Sequence, residues 1–416
     1  MTFQPDAVRK HFPALRDGVV FFDGPGGTQV PQSVIDAGTS YLVQANANLG
    51  GAFETSRRTE EVLSGARQAV ADFLNARSSE EIVFGPNMTT LTFNLSRCLG
   101  RTLHPGDEII VTHLDHDANI APWLALEERG VSVKWVGVNR EDCTLNLAHL
   151  QKQFSMRTEV VAVGYASNAV GTINDVKKIV DLIHERNGIV FIDAVHYAPH
   201  GPIDVQALDC DFLVCSAYKF FGPHVGILYG KYDLLERLPA YKVRPAKDRP
   251  PHKFETGTQN HEGIAGTRAA IDYLASIGEQ FGGACASQFP NLEGRRLHLK
   301  TAMAAIQAYE QQLFKRLMAG LKEVPGLKIY GITDPKRFGE RTPTVAFTME
   351  GLSPREISQA LARENICVWD GNYYALAIME YLGLQEDGGA VRVGLCHYNT
   401  AAEVDRLIEV LHTIKR

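Results

Sequence analysis

The run Ile189-Val190-Phe191-Ile192-Asp193-Ala194-Val195-His196 decides how this chain is read, together with Phe212-Leu213-Val214-Cys215-Ser216-Ala217-Tyr218-Lys219 after a short connector. Both runs are apolar and rich in β-branched or aromatic residues, the composition of strands buried on both faces of a parallel sheet. Each ends in polar chemistry: an acid at Asp193, then Ser216 and Lys219. Phe220-Phe221-Gly222-Pro223 follows the Lys at once. An amine beside two Phe residues and a Gly-Pro turn reads as held in an apolar mouth at the end of a sheet. Burial there favours the neutral form, which attacks carbonyls.

An acid and a Lys on neighbouring strand ends are what pyridoxal phosphate (PLP) requires. The Lys forms the Schiff base, and the carboxylate keeps the pyridinium nitrogen protonated so that the ring accepts electrons from a substrate carbanion. Either residue alone has a plainer reading, a helix-capping Asp or a snorkelling Lys. The pair with its flanks points to the cofactor.

Outward from this stretch, apolar runs at 81–85, 107–112, 131–136, 160–165 and 225–229 alternate with helical patterns, which predicts a mostly parallel α/β sheet. Ligands in such sheets bind beyond the carboxyl ends of the strands, where Asn168, Asp193 and Ser216 fall. Thr89 and Thr90 open a predicted helix, as ordinary caps or as an anion site. Arg57, Arg58 and Arg67 read as a solvated helix face. Gly24-Pro25-Gly26-Gly27-Thr28 is a turn after the short strand around Phe21.

Composition sets bounds. A chain of 416 residues can fill a large core and two domains. A net charge of -6 leaves no basic footprint, so nucleic acid is not an expected partner. No apolar run of membrane-spanning length and no signal peptide is found, which makes the cytoplasm the default location. Seven Cys without a C-x-x-C pair argue against disulfides and structural zinc.

The stretch also resembles the cysteine desulfurase and selenocysteine lyase family of class V aminotransferase fold. Asp193-Ala194-Val195-His196 and Ser216-Ala217-Tyr218-Lys219 look like its D-x-x-Q and S-x-H-K segments. The resemblance implies a PLP-dependent transferase fold of type I. It implies a large PLP-binding domain at 18–284 around a mostly parallel seven-stranded sheet, and a smaller α+β domain from 1–17 and 285–416. Residue by residue, it places the PLP phosphate on Thr89 and Thr90. Asp115-His116-Asp117-Ala118-Asn119 matches E-H-x-A-N, so His116 would stack on the PLP ring and could shuttle protons. Asn168 would face the phenolic oxygen and the substrate. Ser216 and Tyr218 would hold phosphate, Tyr218 standing where the family has His; His196, standing where it has Gln, keeps hydrogen-bonding capacity. Phe254-Glu255-Thr256-Gly257-Thr258-Gln259-Asn260 matches F-E-x-G-T-x-N, whose Thr reaches the partner subunit's phosphate. Thr258 thus implies a homodimer with a shared active site. Arg392 would clamp the substrate carboxylate.

The sequence departs from the family in three places. The basic residues of a His-Arg-Gly segment are absent at 46–53, and the loop at 24–27 is Gly-rich rather than Ala-rich. The third is the segment Val368-Trp369-Asp370-Gly371-Asn372-Tyr373-Tyr374-Ala375, which has Tyr near the position of the family's mobile thiol and Trp369 in place of an Arg. Cys367 and Cys396 read as small core residues. The expected activity is therefore PLP chemistry on an α-amino acid, desulfurase-like C–S β-elimination without a persulfide Cys. Epimerisation or transamination is the alternative reaction, and a non-catalytic accessory subunit in sulfur trafficking the non-enzyme alternative.

Overall fold

The computed structural model describes residues 3–414. Seven strands form the large sheet: β1 (Ile82–Gly85), β2 (Glu108–Thr112), β3 (Ser132–Val136), β4 (Thr158–Gly164), β5 (Ile189–Asp193), β6 (Phe212–Ser216) and β7 (Gly226–Gly230). Their order is β1-β7-β6-β5-β4-β2-β3. All pairs are parallel except those made by β7, which runs antiparallel to both β1 and β6. Strands β1, β6 and β7 are buried at every position, which is why they read as unbroken apolar runs rather than alternating ones.

Register brings the chemistry together. Gly164 of β4 lies opposite Asp193 of β5, and Asp193 opposite Val214 of β6. The carboxyl ends of three adjacent central strands therefore open at one level, and Asn168, Asp193 and Ser216–Lys219 follow them.

A smaller antiparallel sheet lies in the C-terminal part: β8 (Leu327–Tyr330), β9 (Thr344–Met349), β10 (Trp369–Gly371) and β11 (Ala390–Gly394), in the order β10-β11-β9-β8. Val20–Phe21 pairs in parallel with Ile366–Cys367. The long helix Gly294–Glu323 serves both cores. Its Leu299, Met303 and Ile306 pack with the large sheet, whereas Leu313, Phe314, Leu317 and Leu321 pack with the small one. The N-terminal arm is likewise shared: Phe12 packs on Phe221 and Tyr398, and Arg9 donates to the Tyr398 carbonyl and pairs with Glu403. Among the described residues, no helix is long and apolar enough to cross a membrane.

The solvated face expected for Arg67 is not observed. Its guanidinium turns inward, donates to the Ile82 carbonyl at 2.6 Å, and forks onto Glu255 at 2.7 and 3.1 Å. Glu255 also accepts the Phe84 N–H at 2.9 Å. The pair fixes the Phe254–Asn260 segment to strand β1. Arg57 and Arg58 do lie at the surface, both on Glu54.

Candidate active site

Beyond the strand ends lies a cavity that opens to solvent, with about 580 Å³ of space when the solvent at its opening is included. Its walls include Pro25, Met88, Thr89, Asp115, His116, Asn168, Asp193, His196, Ser216, Tyr218 and Lys219. Thr90, Thr258 and Arg392 are not part of this wall.

One wall is a helix start. Asn87 caps Met88–Leu99, its side-chain oxygen accepting the Thr90 N–H at 2.8 Å. The Met88 N–H donates to Ser216 Oγ at 3.1 Å, which ties the helix to the end of β6. Gly226 permits this approach: a Cβ there would come within 2.4 Å of the Asn87 backbone. Helical rotation then separates the two threonines, Thr89 facing the cavity and Thr90 facing away.

Lys219 ends a single tight turn, Ala217–Lys219, that follows β6. Its Nζ donates to the Pro25 carbonyl and sits 4.9 Å above the Tyr218 ring. Burial, aided by the Arg392 charge, pushes its pKa down from 10.5 to about 7. Asp193 accepts the Val195 N–H at 2.9 Å, and burial raises its pKa to about 6, partly opposed by Lys219. His116 accepts the Ala118 N–H at Nδ1, 3.0 Å, so its neutral tautomer carries the hydrogen on Nε2. Burial, then the charges of Lys219 and Arg392, lowers its pKa to about 4 and keeps it neutral.

Of the remaining candidates, Asn168 and His196 line the cavity and Arg392 lies behind Asn168. Asn168 donates through Nδ2 to the Tyr373 carbonyl at 2.9 Å, while its Oδ1 is buried without a partner. Its backbone carbonyl accepts from Arg392 Nη1 at 2.9 Å. The Arg392 guanidinium is buried 4.4 Å over the Tyr373 ring, with Nε unpartnered. His196 Nε2 lies 3.0 Å from Thr344 Oγ1 and 3.2 Å from Thr342 Oγ1. Thr258 is exposed after the left-handed Gly257, away from the chain's own cavity.

Sequence reasoning missed two acids here. Asp115, beside His116, is buried, held by Thr112 and by Asn119 at 2.8 Å, and burial raises its pKa to about 7. Asp23 is buried with Oδ1 unpartnered, its pKa raised to about 6 by burial against the pull of Arg392 and Lys219. Asp115 lies inside the motif already quoted around His116 and Asp23 adjoins the Gly-rich turn, but only their burial marks them as part of the site.

The class V aminotransferase model matches residues 20–285 and 294–407. The chain belongs to the class V aminotransferase family. A cysteine desulfurase of Synechococcus elongatus is 34% identical over 99% of this chain, which spans 64% of that longer protein. The aminotransferase-like protein FGM3 of Gibberella zeae is also 34% identical, over 99% of both chains. Among solved structures, the apo cysteine desulfurase of Thermococcus onnurineus superposes with a TM-score of 0.87 at 27% identity, covering 99% of this chain and 98% of that one.

Class V aminotransferases are PLP-dependent enzymes, and the cofactor of this one is PLP. The cavity fits it. A depressed amine, a buried carboxylate, an unpartnered amide oxygen and a hydroxyl-bearing helix start share one wall system, as an aldehyde-bearing, phosphorylated pyridine needs.

Proposed function

We propose that this class V enzyme cleaves the Cβ–S bond of an α-amino acid, and that sulfur leaves without passing through a thiol of the chain. One observation carries the reading: none of the seven cysteines lines the cavity that holds Lys219. Cys367 and Cys396 lie behind the wall, their thiols pushed up chiefly by burial. The segment with Tyr373 and Tyr374 lies against Asn168 and His116 instead.

PLP supplies an electron sink for the carbanion at the substrate's Cα. Lys219 would hold the cofactor through Nζ, and as an amine poised near pH 7 it would also take up the substrate's Cα proton. Asp193 keeps the ring nitrogen protonated. His116 covers the ring face as a neutral imidazole. Thr89, Ser216 and Tyr218 hold the phosphate, with Thr90 contributing from the same helix start. His196 and Asn168 border the phenolic oxygen, and Arg392, steadied by the Asn168 carbonyl, holds the substrate carboxylate with the rest of its guanidinium.

Thr258 would complete the partner's phosphate site in a homodimer. Its exposure supports this, as do the exposed Ile35, Leu42, Val43 and Phe53 on and after the helix Gln32–Gln44. The residue ranges 18–284 and 1–17 with 285–416 are proposed as the two domains, and the cytoplasm as the location.

The test is product analysis of the holoenzyme with a panel of amino acids. Sulfide or thiol with pyruvate and ammonium supports the reading. Racemised amino acid alone, or a 2-oxo acid that keeps the substrate's carbon and sulfur, would replace it with epimerisation or transamination. Bound PLP without any product would favour an accessory role.

A further inference from the structure

Two exposed aromatic side chains, outside the cavity wall itself, lie against His116 of that wall and against Gly26, next to Pro25. Trp369 keeps 51% of its surface and Tyr374 keeps 74%, high values for rings in a folded chain. Trp369 lies directly across the strand pair from Arg392, hence on the same face of the small sheet. Its indole Nε1 lies 2.2 Å from where a Cβ on Gly26 would sit. Gly26 follows Pro25, the residue whose carbonyl takes the Lys219 amine. The Tyr374 ring stacks on His116 of the cavity wall, with centroids 5.6 Å apart and planes 19° apart.

The backbone holds Tyr374 there at a cost. Tyr373 and Tyr374 are both left-handed, at φ 54° and 57°, a conformation that costs bulky residues about 1–3 kcal/mol each. Tyr373 regains it by burial under Arg392 and by the bond from its hydroxyl to the Ala390 carbonyl. Tyr374 gains no such burial. Its carbonyl is nonetheless pinned by the Asp117 N–H at 2.7 Å, and its N–H by Asn372 Oδ1 at 3.1 Å. The loop is therefore a fixed wall clamped to the His116 turn on one side and to the Asn168 turn on the other.

Resting on the lyase reading above, we propose that the substrate is a cysteine whose sulfur carries an aromatic group, received between Tyr374 and Trp369. The reaction balances without an acceptor thiol. The Cα proton passes to Lys219, the Cβ–S bond breaks, and its electron pair leaves with sulfur, which takes a proton to become an aryl thiol. The remaining 2-aminoacrylate adds water and yields pyruvate and ammonium. Free cysteine would leave both rings uncovered.

The experiment compares kcat/KM of the holoenzyme for S-phenyl-L-cysteine, S-methyl-L-cysteine and L-cysteine, with thiol and pyruvate both quantified. The aryl substrate is expected to lead by about tenfold or more, the worth of one to two aromatic contacts. In Tyr374→Ala and Trp369→Ala the ratio of S-phenyl to S-methyl activity falls about threefold to tenfold below native, chiefly through KM, while Tyr374→Phe keeps it. The ratio does not depend on the fraction of protein that folds. Equal kcat/KM for all three substrates, or a ratio unmoved in both alanine variants, overturns the aromatic subsite and leaves the lyase reading standing. Absence of thiol and pyruvate from every substrate overturns both.

Discussion

Replacing Arg392 by Met tests how the substrate is held. Arg392 is buried, spends Nη1 on the Asn168 carbonyl, and leaves Nε without a partner. A carboxylate received by the free edge of that guanidinium makes charge-assisted bonds, each contributing about 1.5–3 kcal/mol. Losing two such bonds removes about 3–6 kcal/mol, a fall of roughly two to four orders of magnitude in kcat/KM. Met has similar length and no charge, so the wall stays filled. The assay compares kcat/KM for an amino acid and for the amine that lacks its carboxylate. The native chain should prefer the amino acid strongly, and the Met variant should treat the two alike. Arg392 also helps to depress the Lys219 pKa, so the onset of activity with pH should move upward in the variant. A Met variant within about threefold of native on the amino acid, with its preference intact, would refute the reasoning.

Capture of PLP by the cofactor-free chain should rise with pH through about 7 and then flatten, because Lys219 loses its proton there rather than near 10.5; stopped-flow absorbance would show it, and a rate still climbing at pH 9 would speak against a depressed amine. The same shift makes the cofactor-free chain more stable as pH rises from about 7 toward 10.5, since the unfolded chain then holds the proton that folded Lys219 has released. Lys219→Met should flatten part of that slope, with the equally buried Lys300, lowered to about 7 as well, keeping its own share. Asp193→Asn should bind PLP yet lose about a hundredfold or more in kcat, because a neutral amide does not hold the ring proton; near-native kcat would remove the acid from the mechanism. Arg67→Ala should lower stability by about 2–4 kcal/mol, as Glu255 is left with the Phe84 amide alone, and urea midpoints would register it.

The large sheet was legible because its central strands are buried on both faces, so composition alone marks them, and because their polar ends fall at one level. Asp193, Ser216, Lys219 and Asn168 were found at those ends, His116 through the family resemblance, and all five line one cavity. What stayed hidden depends on rotation and distance. Thr89 and Thr90 are equivalent as sequence, but one turn of helix geometry sends only Thr89 inward. Arg67 meets a carboxylate 188 residues away, a pairing that no local pattern encodes. The left-handed pair Tyr373 and Tyr374 carries none of the Gly or Asn that usually signals such backbone. The tertiary clamps from Asn168 and Asp117 impose it.

The central claim is most directly tested by reducing the PLP-loaded protein with borohydride, digesting it and mapping the pyridoxyl group by mass spectrometry. The account predicts a single modified peptide, with the group on Lys219 and none on Lys300 or any other lysine. A pyridoxyl group mapped elsewhere, or protein that takes up no PLP at all, would contradict it.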